Sequence, residues 1–210
     1  MSKITIGYRA RFPEVFSKYL EKSLNNLKGN FEVIKVDAPP ITNCADFSSD
    51  KYPAENYNEM IDLCQTEYLL LVHEDVIFTD DLIERLEETI NLFPDFGAIG
   101  LVGPDSAGVT RWSSSRGIFE VDTLDSCFIM IRKDLGIRFN SEVFNELHLY
   151  VEDYCGQLNK IGRKIYTVKQ NPDSKIEHCS ATWNTLGFAW GNYNHYKQIF
   201  LRLYPNLKTT

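Results

Sequence analysis

The chain has 210 residues, of which 43% are hydrophobic and 13% aromatic, and its formal net charge is -7. This length and composition predict one compact domain with a sizeable core, not a disordered or low-complexity chain. A duplex-binding protein needs a concentrated basic surface, and no cluster of lysine and arginine stands out, so nucleic acid is not an expected partner. An acidic chain that binds an anionic ligand must recruit cations locally, as a metal ion or as a few placed arginines.

The N-terminal segment and the cysteines favour a cytoplasmic location. A strand pattern begins at Lys3, so no signal peptide is expected. No apolar run approaches the roughly 20 residues that span a bilayer, although peripheral membrane association stays compatible with the sequence. The 5 cysteines include no C-x-x-C pair, and we expect them to be reduced thiols.

Strands and helices alternate through the first half of the chain. We predict, in order, a strand over 3–7, a helix over 13–27, a strand over 31–36, a helix over 55–64, a strand over 68–72, a helix over 82–93 and a strand over 98–102. Asp81 is the expected cap of the third helix. The strand over 68–72 is apolar without alternation, which is typical of a central parallel strand.

The second half is less regular. We predict a loop over 103–117, strands over 128–131 and 165–168, a helix over 152–161, a short strand-like stretch at 174–177, and otherwise an irregular aromatic tail from Ile176. The whole pattern predicts a single α/β domain with a mixed, mostly parallel sheet flanked by helices.

Polar residues follow three of the predicted strands. Tyr8 and Arg9 follow the first strand and Asp37 the second, while the third runs into a His-Glu-Asp triplet at 73–75. Ligands of open α/β sheets bind beyond the carboxyl ends of the strands. Arginine binds phosphate bidentately, and carboxylates hold hard divalent cations beside a diphosphate. This edge of the sheet is therefore the expected ligand site.

The stretch YLLLVHEDVIF (68–78) resembles the metal-binding DXD region of GT-A glycosyltransferases, particularly inverting family 2 and its bacterial relatives. Other stretches resemble the same family in order and spacing. They are Asp37 after the second strand, Asn58 in the helix before the DXD strand, Asp125 at the start of LDSCFIMIR, Glu152-Asp153 as the "ED" motif, and the late His178. The resemblance covers nearly the whole chain. It implies a nucleotide-sugar-binding half over 1–103 and an acceptor and catalytic half over 104–210.

The resemblance implies an inverting transfer of a sugar from a nucleotide-diphosphate sugar, a UDP-sugar in particular, to a hydroxyl of a glycan or another acceptor. Asp153 would be the catalytic base, with Glu152 beside it as the second candidate, and Asp75 and His178 would hold Mn²⁺ or Mg²⁺. The implied contacts to the nucleotide sugar are Tyr8, Arg9, Asp37, Asn58, His73 and Glu74. By analogy the chain would act in the biosynthesis of a surface polysaccharide.

One position departs from the family pattern. His73 stands where the first aspartate of the motif is usual, while Asp75 keeps the second position. His73 either contacts the metal or the ribose, or it is a hydrogen-bonded structural histidine. As a ligand, imidazole favours Mn²⁺ over Mg²⁺.

Several residues have a structural interpretation beside the functional one. Asp153 sits in the first turn of its predicted helix, where it could cap the helix or, held ionised by the helix dipole, act as a base. Asp125, Arg111, Trp112 and Trp183 are the candidates for the acceptor side, and such tryptophans are equally typical of a core.

Two other enzyme classes do not fit the sequence. A sugar-nucleotide pyrophosphorylase needs a glycine-rich loop after the first strand, where this chain has YRARFP, and a haloacid-dehalogenase-type phosphatase needs Asp-x-Asp there. The missing first aspartate of the DXD motif leaves one rival hypothesis, a non-catalytic protein that binds a sugar nucleotide or a glycan.

Overall fold

The computed structural model describes residues 3–38, 53–113, 117–181 and 192–209. Its strands are β1 (Ile4–Ala10), β2 (Phe31–Asp37), β3 (Tyr68–Val72), β4 (Val76–Phe78), β5 (Phe96–Gly100), β6 (Val102–Pro104), β7 (Thr110–Trp112), β8 (Phe128–Arg132), β9 (Lys164–Thr167) and β10 (Ile176–His178). Its helices are α1 (Pro13–Lys18), α2 (Leu20–Asn26), α3 (Pro53–Leu63), α4 (Leu82–Leu92), α5 (Tyr150–Lys160) and α6 (Tyr193–Leu203).

A six-stranded sheet with the order β2-β1-β3-β8-β5-β9 forms the centre of the structure. β1 runs parallel to β2 and β3, and β5 runs parallel to β9, while β8 is antiparallel to both of its neighbours. The mixed, mostly parallel sheet predicted from the sequence is confirmed. Tyr8 pairs with Val72 and Ala10 with Asp37, so β1, β2 and β3 end at the same edge.

Both faces of the sheet are covered, which explains the unbroken apolar run of β3. Leu69 and Leu71 join a buried cluster that includes residues of α3 and α5. Leu70 and Val72 point to the opposite face and join a cluster with residues of α2 and α4. Successive side chains of a strand alternate between faces, so a strand covered on both sides must be apolar at every position. Each buried leucine contributes about 2 kcal/mol.

A glycine lets α3 approach β1 closely. A Cβ atom at Gly7 would lie 2.8 Å from Sδ of Met60 and 3.3 Å from a methyl carbon of Leu69. A side chain at this position would push α3 away from the sheet, because buried side chains are already packed at crystal-like density. Gly7 therefore helps set the position of α3 relative to the end of β1.

Two local predictions in the first half are wrong. The helix predicted over 13–27 is two helices, α1 and α2, separated at Tyr19. Leu20 is buried, and Phe16 and Leu24 are partly buried against the same apolar cluster. Asp81 precedes α4 but makes no capping hydrogen bond. Its carboxylate instead accepts a 2.7 Å hydrogen bond from Thr79 and lies 3.2 Å from Nε of Arg85.

Two predictions in the second half are also wrong. The loop expected over 103–117 contains most of the antiparallel pair β6 and β7. The tail expected to be irregular contains α6, whose Tyr196 and Phe200 are buried. Those two aromatic residues are four positions apart, which is helical spacing. The sequence therefore does contain a signal for α6.

The described residues bear on two further expectations. No helix among them is long and apolar enough to cross a bilayer. Cys64, Cys127, Cys155 and Cys179 are free thiols, as expected. Cys44 lies outside the described residues.

Candidate active site

A cleft of about 510 Å³ opens at the carboxyl edge of β1 and β3. The residues that line it are Arg9, Arg11, Phe12, Tyr57, Val72, His73, Glu74, Asp75, Leu147 and Tyr150. They come from the ends of β1 and β3, from α3 and from the start of α5. The cleft thus lies where ligands of open α/β sheets bind.

Arginine side chains give the cleft positive charge within an acidic protein. Arg9 follows the last β1 residue that pairs with β3, and its Nε donates a 2.8 Å hydrogen bond to Oδ1 of Asn56. Arg11 lines the cleft two residues later. Guanidinium groups are suited to phosphate oxygens, because they remain charged and offer several N–H donors in one plane.

Three potential metal ligands meet beside these arginines. The ligand atoms of His73, Asp75 and His178 all lie within 4.8 Å of one another. His73 and Asp75 follow β3 directly. His178 is the last residue of β10, which pairs antiparallel with β4 and so brings His178 opposite Val76.

Asp75 contacts both His178 and the segment that follows β10. Its side chain is buried, its Oδ1 lies 3.2 Å from Nε2 of His178, and its Oδ2 accepts a 2.9 Å hydrogen bond from the amide of Ala181. Its backbone carbonyl accepts a hydrogen bond from the amide of Cys179. The segment after β10 is therefore held to the turn after β3.

The two histidines have opposite pKa shifts. Burial and the neighbouring His178 lower the pKa of His73 to about 4. For His178 burial acts in the same direction, but the hydrogen bond and the charge of Asp75 outweigh it and raise the pKa. His73 is therefore neutral near pH 7, as an imidazole must be to bind a metal.

His73 is expected to make the metal-free protein less stable in mild acid. The unfolded chain takes up a proton on this histidine near pH 6.5, whereas the folded chain does so only near pH 4. The stability that neutral His73 provides above pH 6.5 is lost as the pH falls through this window, by roughly 3 kcal/mol. Urea unfolding in EDTA between pH 7.5 and 4 measures this loss.

His73→Gln should make the free energy of unfolding depend less on pH. His195→Gln, which changes an exposed histidine of α6, should leave that dependence as it is in the wild type. His178 has the opposite effect on stability. Because its pKa is raised, it stabilises the folded chain below pH 6.5, and this contribution is lost as the pH rises. If the free energy of unfolding depends on pH in the same way in the wild type and in His73→Gln, burial does not lower the pKa of His73.

Asp125 and Cys127 lie next to the metal ligands. Oδ1 of Asp125 accepts a 2.8 Å hydrogen bond from the amide of Cys127, and the carbonyl of Cys127 accepts a 2.9 Å hydrogen bond from the amide of His73. The ligand atoms of Asp125, Cys127 and His178 also lie within 4.8 Å of one another. Asp125 was assigned to the acceptor side from the sequence, and the structure places it beside His178, one of the three potential metal ligands.

The wall opposite β3 includes two tyrosines that the sequence analysis did not select. Tyr57 and Tyr150 are in edge contact with ring centroids 5.4 Å apart, and both line the cleft. Burial raises the pKa of Tyr150 to about 12. Leu149, just before α5, has a left-handed backbone with φ 63°, and such a conformation in a non-glycine residue is typical of functional sites.

Three residues expected to contact the nucleotide sugar have other partners. Tyr8 is buried and stacks on Phe16 with ring centroids 4.7 Å apart. Glu74 lines the cleft, but its carboxylate accepts hydrogen bonds from the amides of Arg11 and Phe12 at 3.0–3.1 Å. It thereby holds the loop before α1.

The third such residue, Asn58, faces away from the cleft. Its amide group makes two 2.9 Å hydrogen bonds with the backbone of Phe139. Residues two apart on a helix point about 200° apart, so Asn58 and Asn56 lie on opposite sides of α3. The asparagine that reaches the site is Asn56, through Arg9.

Asp153, the proposed catalytic base, lies in a buried, hydrogen-bonded contact between two helical segments. Asp153 is 1% exposed, and its oxygens accept hydrogen bonds from Tyr204 at 2.8 Å and from Gln157 at 2.9 Å. Burial raises its pKa against the effect of these two donors. The carboxylate belongs to the packed interface between α5 and the residues after α6, and it is not among the described residues that line the cleft.

Glu152, the second carboxylate of the "ED" motif, is 7% exposed. Like Asp153, it is not among the described residues that line the cleft. Both carboxylates stay candidates for the catalytic base.

Asp37, Arg111 and Trp112 are not among the described residues that line the cleft. Asp37 is exposed at the end of β2 and pairs with Lys35 at 2.7 Å. Arg111 in β7 donates a 2.8 Å hydrogen bond from Nε to Asp105, and Trp112 beside it is 59% exposed. Trp183 lies outside the described residues.

Comparison with solved structures finds the same architecture in sugar-nucleotide proteins. The 1–349 fragment of S. aureus TarS superimposes with a TM-score of 0.60 at 14% identity, over 98% of this chain and 71% of that one. The same fragment with UDP-GlcNAc gives 0.58 at 15% identity, over 96% and 66%. The chain has a GT-A fold.

A third structure agrees. The mannosyltransferase PcManGT from Pyrobaculum calidifontis, in complex with GDP-Man and Mn²⁺, gives a TM-score of 0.57 at 11% identity, over 97% of this chain and 72% of that one. This chain covers 39% of the longer TarS structure. No protein-family model and no curated protein sequence matches the chain. The fold predicted from the family resemblance is confirmed by structural likeness.

Proposed function

We propose that the chain is a glycosyltransferase that binds a nucleotide-diphosphate sugar in the cleft beside a divalent cation. The observation that carries this proposal is the grouping of His73, Asp75 and His178 at the carboxyl edge of β1 and β3, next to Arg9 and Arg11. Cation ligands and guanidinium groups together suit a diphosphate. The bound UDP-GlcNAc and GDP-Man of the structural neighbours support the ligand class.

The ligand set fits Mn²⁺ better than Mg²⁺. Two of its three members are imidazoles, which manganese accepts, whereas magnesium prefers oxygen ligands. The Mn²⁺ in the PcManGT complex agrees with this choice. A bound cation would neutralise the diphosphate leaving group as a Lewis acid.

The side chains of the cleft divide the remaining tasks. Arg9 and Arg11 would hold phosphate oxygens, and Asn56 fixes the orientation of Arg9 through its 2.8 Å hydrogen bond. Tyr57 and Tyr150 would offer a rigid wall to the sugar, because aromatic faces pack well against sugar rings and lose little conformational freedom. Asp37 stays a proposed contact to the base or the ribose at the end of β2.

Glu152 takes the role of base in this proposal. A carboxylate base has to reach the acceptor hydroxyl and be ionised before it takes the proton. Asp153 does not meet the first condition, since both of its oxygens face Tyr204 and Gln157. Glu152 is two residues after the cleft residue Tyr150 and is 7% exposed, against 1% for Asp153. Inversion at the anomeric carbon is proposed from the family resemblance.

Nucleotide binding with and without Mn²⁺ tests this function. A ligand that binds only the folded state raises the melting temperature, so UDP, UDP-GlcNAc, GDP and GDP-Man are compared in Mn²⁺ and in EDTA. We expect a shift of several degrees for at least one of them in Mn²⁺, and its loss in EDTA. If none of them shifts the melting temperature in either buffer, the proposed function is wrong.

The burial of Asp153 and the histidine at position 73 also favour a second candidate, a non-catalytic protein that binds a sugar nucleotide. The transfer assay separates the two candidates. Release of UDP from UDP-GlcNAc, with and without an acceptor glycan, would support the enzyme. Binding in Mn²⁺ without any turnover of a bound donor would support the binding protein.

A further inference from the structure

We infer that Asp125, Cys127 and His178 form a second cation site, one that takes a thiophilic divalent ion such as Zn²⁺ and excludes the catalytic ion. The three ligand atoms lie within 4.8 Å of one another. The set combines a thiol, an imidazole and a carboxylate, which together prefer zinc to magnesium or calcium.

The fold holds these ligands in place from three directions. Cys127 lies just before β8, where Phe128 pairs with Val72 at the end of β3. Asp125 accepts a hydrogen bond from the amide of Cys127, and His178 ends β10. For zinc bonds of 2.0 to 2.3 Å, a tetrahedral site separates its ligand atoms by roughly 3.3 to 3.8 Å. Side-chain rotations that move these atoms by about an ångström would close the site.

The two cation sites cannot be filled independently, because both need His178. A zinc ion held by Cys127 removes this imidazole from the group of His73 and Asp75. Zinc would therefore inhibit by competition with Mn²⁺. The competition rests on the proposed function, whereas zinc binding by the thiol does not.

Zinc binding has to displace a proton from Cys127. The thiol is buried, and burial together with the charge of Asp125 raises its pKa well above the ordinary value. A metal ion deprotonates a coordinating thiol outright, so each zinc bound exchanges for one proton released from sulfur. The uptake of Zn²⁺ should accordingly release protons into a weakly buffered solution.

Binding of Co²⁺ in place of Zn²⁺ shows directly whether a sulfur atom is a ligand. Co²⁺ is added to the full chain after EDTA treatment, and the absorbance is scanned for the near-ultraviolet charge-transfer band of a cobalt thiolate. We expect the band in the wild type and in Cys179→Ser, and its absence in Cys127→Ser. Zn²⁺ should abolish the band. Cys179 is the matched control, because it follows His178 directly and is also a free thiol.

Competition is measured separately through the electron paramagnetic resonance signal of free Mn²⁺. We expect Zn²⁺ to release bound Mn²⁺ from the wild type, and to need at least about 10-fold more zinc in Cys127→Ser. The cobalt absorbance measurement on the wild type does not depend on whether any variant folds. A cobalt-bound wild type without the band, or a band that is lost in Cys179→Ser and kept in Cys127→Ser, would overturn the inference.

The two proposals fail in different ways. A cobalt thiolate band in a protein that binds no Mn²⁺ would contradict the proposed catalytic site and support the zinc site. Mn²⁺-dependent nucleotide binding in a protein without the band would do the reverse.

Discussion

Asp75→Asn is expected to weaken Mn²⁺ binding by more than about 100-fold and to remove Mn²⁺-dependent nucleotide binding with it. Loss of a residue that merely supports a metal ligand typically costs 10- to 100-fold in affinity, and loss of the only carboxylate of the set should cost at least as much. Isothermal titration of Mn²⁺, followed by titration of UDP in saturating Mn²⁺, measures both effects.

The asparagine variant is expected to fold. Its amide oxygen can still accept the hydrogen bond that Ala181 donates to Oδ2 in the wild type. The lost contact with His178 should cost only about 1 kcal/mol of stability. Asp95→Asn is the matched control, because the Asp95 side chain is 96% exposed and its neighbouring charge is Arg163. Mn²⁺ affinity of Asp75→Asn within threefold of that control would remove Asp75 from the metal site.

Asp153→Ala is expected to lower the free energy of unfolding by about 3 kcal/mol. The substitution leaves the buried Tyr204 hydroxyl without its acceptor, whereas the half-buried amide of Gln157 still donates to the carbonyl of Arg138. An unsatisfied buried polar group costs about 1 to 3 kcal/mol. Tyr204→Phe, which removes only one donor, should cost roughly half as much. Urea denaturation followed by circular dichroism measures both variants.

The same position distinguishes a packing role from a catalytic one. Removal of a general base lowers turnover by about 10² to 10⁴-fold. We expect Asp153→Asn to lose stability but less than about 10-fold in turnover, and Glu152→Gln to lose at least 100-fold in turnover with a smaller loss of stability. Turnover lost by Asp153→Asn in a fully folded protein, with Glu152→Gln active, would restore Asp153 as the base.

The prediction of secondary structure succeeded where periodicity and burial agree. The all-apolar run of β3 indicates a central strand because both of its faces are covered, and the strand ends marked by Arg9, His73 and Asp75 do meet at one edge. The grouping of His178 with Asp75 was proposed from the family resemblance. In the structure, the antiparallel pairing of β10 with β4 places His178 opposite Val76.

The sequence did not determine the direction of side chains on the helices. Asn58 and Asn56 both lie on α3, and only the rotation of that helix against the sheet decides which of them faces the cleft. Asp153 and Glu152 are neighbours at the start of α5, where Leu149 has a left-handed backbone that the sequence does not reveal. Tyr204 reaches Asp153 from 51 positions away along the chain, and local patterns carry no information about such contacts.

Hydrophobic patterning and strand-end polarity, both local properties, were enough to predict the α/β class and the sheet edge at which Arg9, His73 and Asp75 meet. The tertiary structure alone decided that Asp153 is packed against Tyr204, that Asn56 accepts a hydrogen bond from Arg9, and that Cys127 lies close to His178. The physical reason is that burial and hydrogen bonding depend on which distant segments meet, and that is settled by packing across the whole sheet.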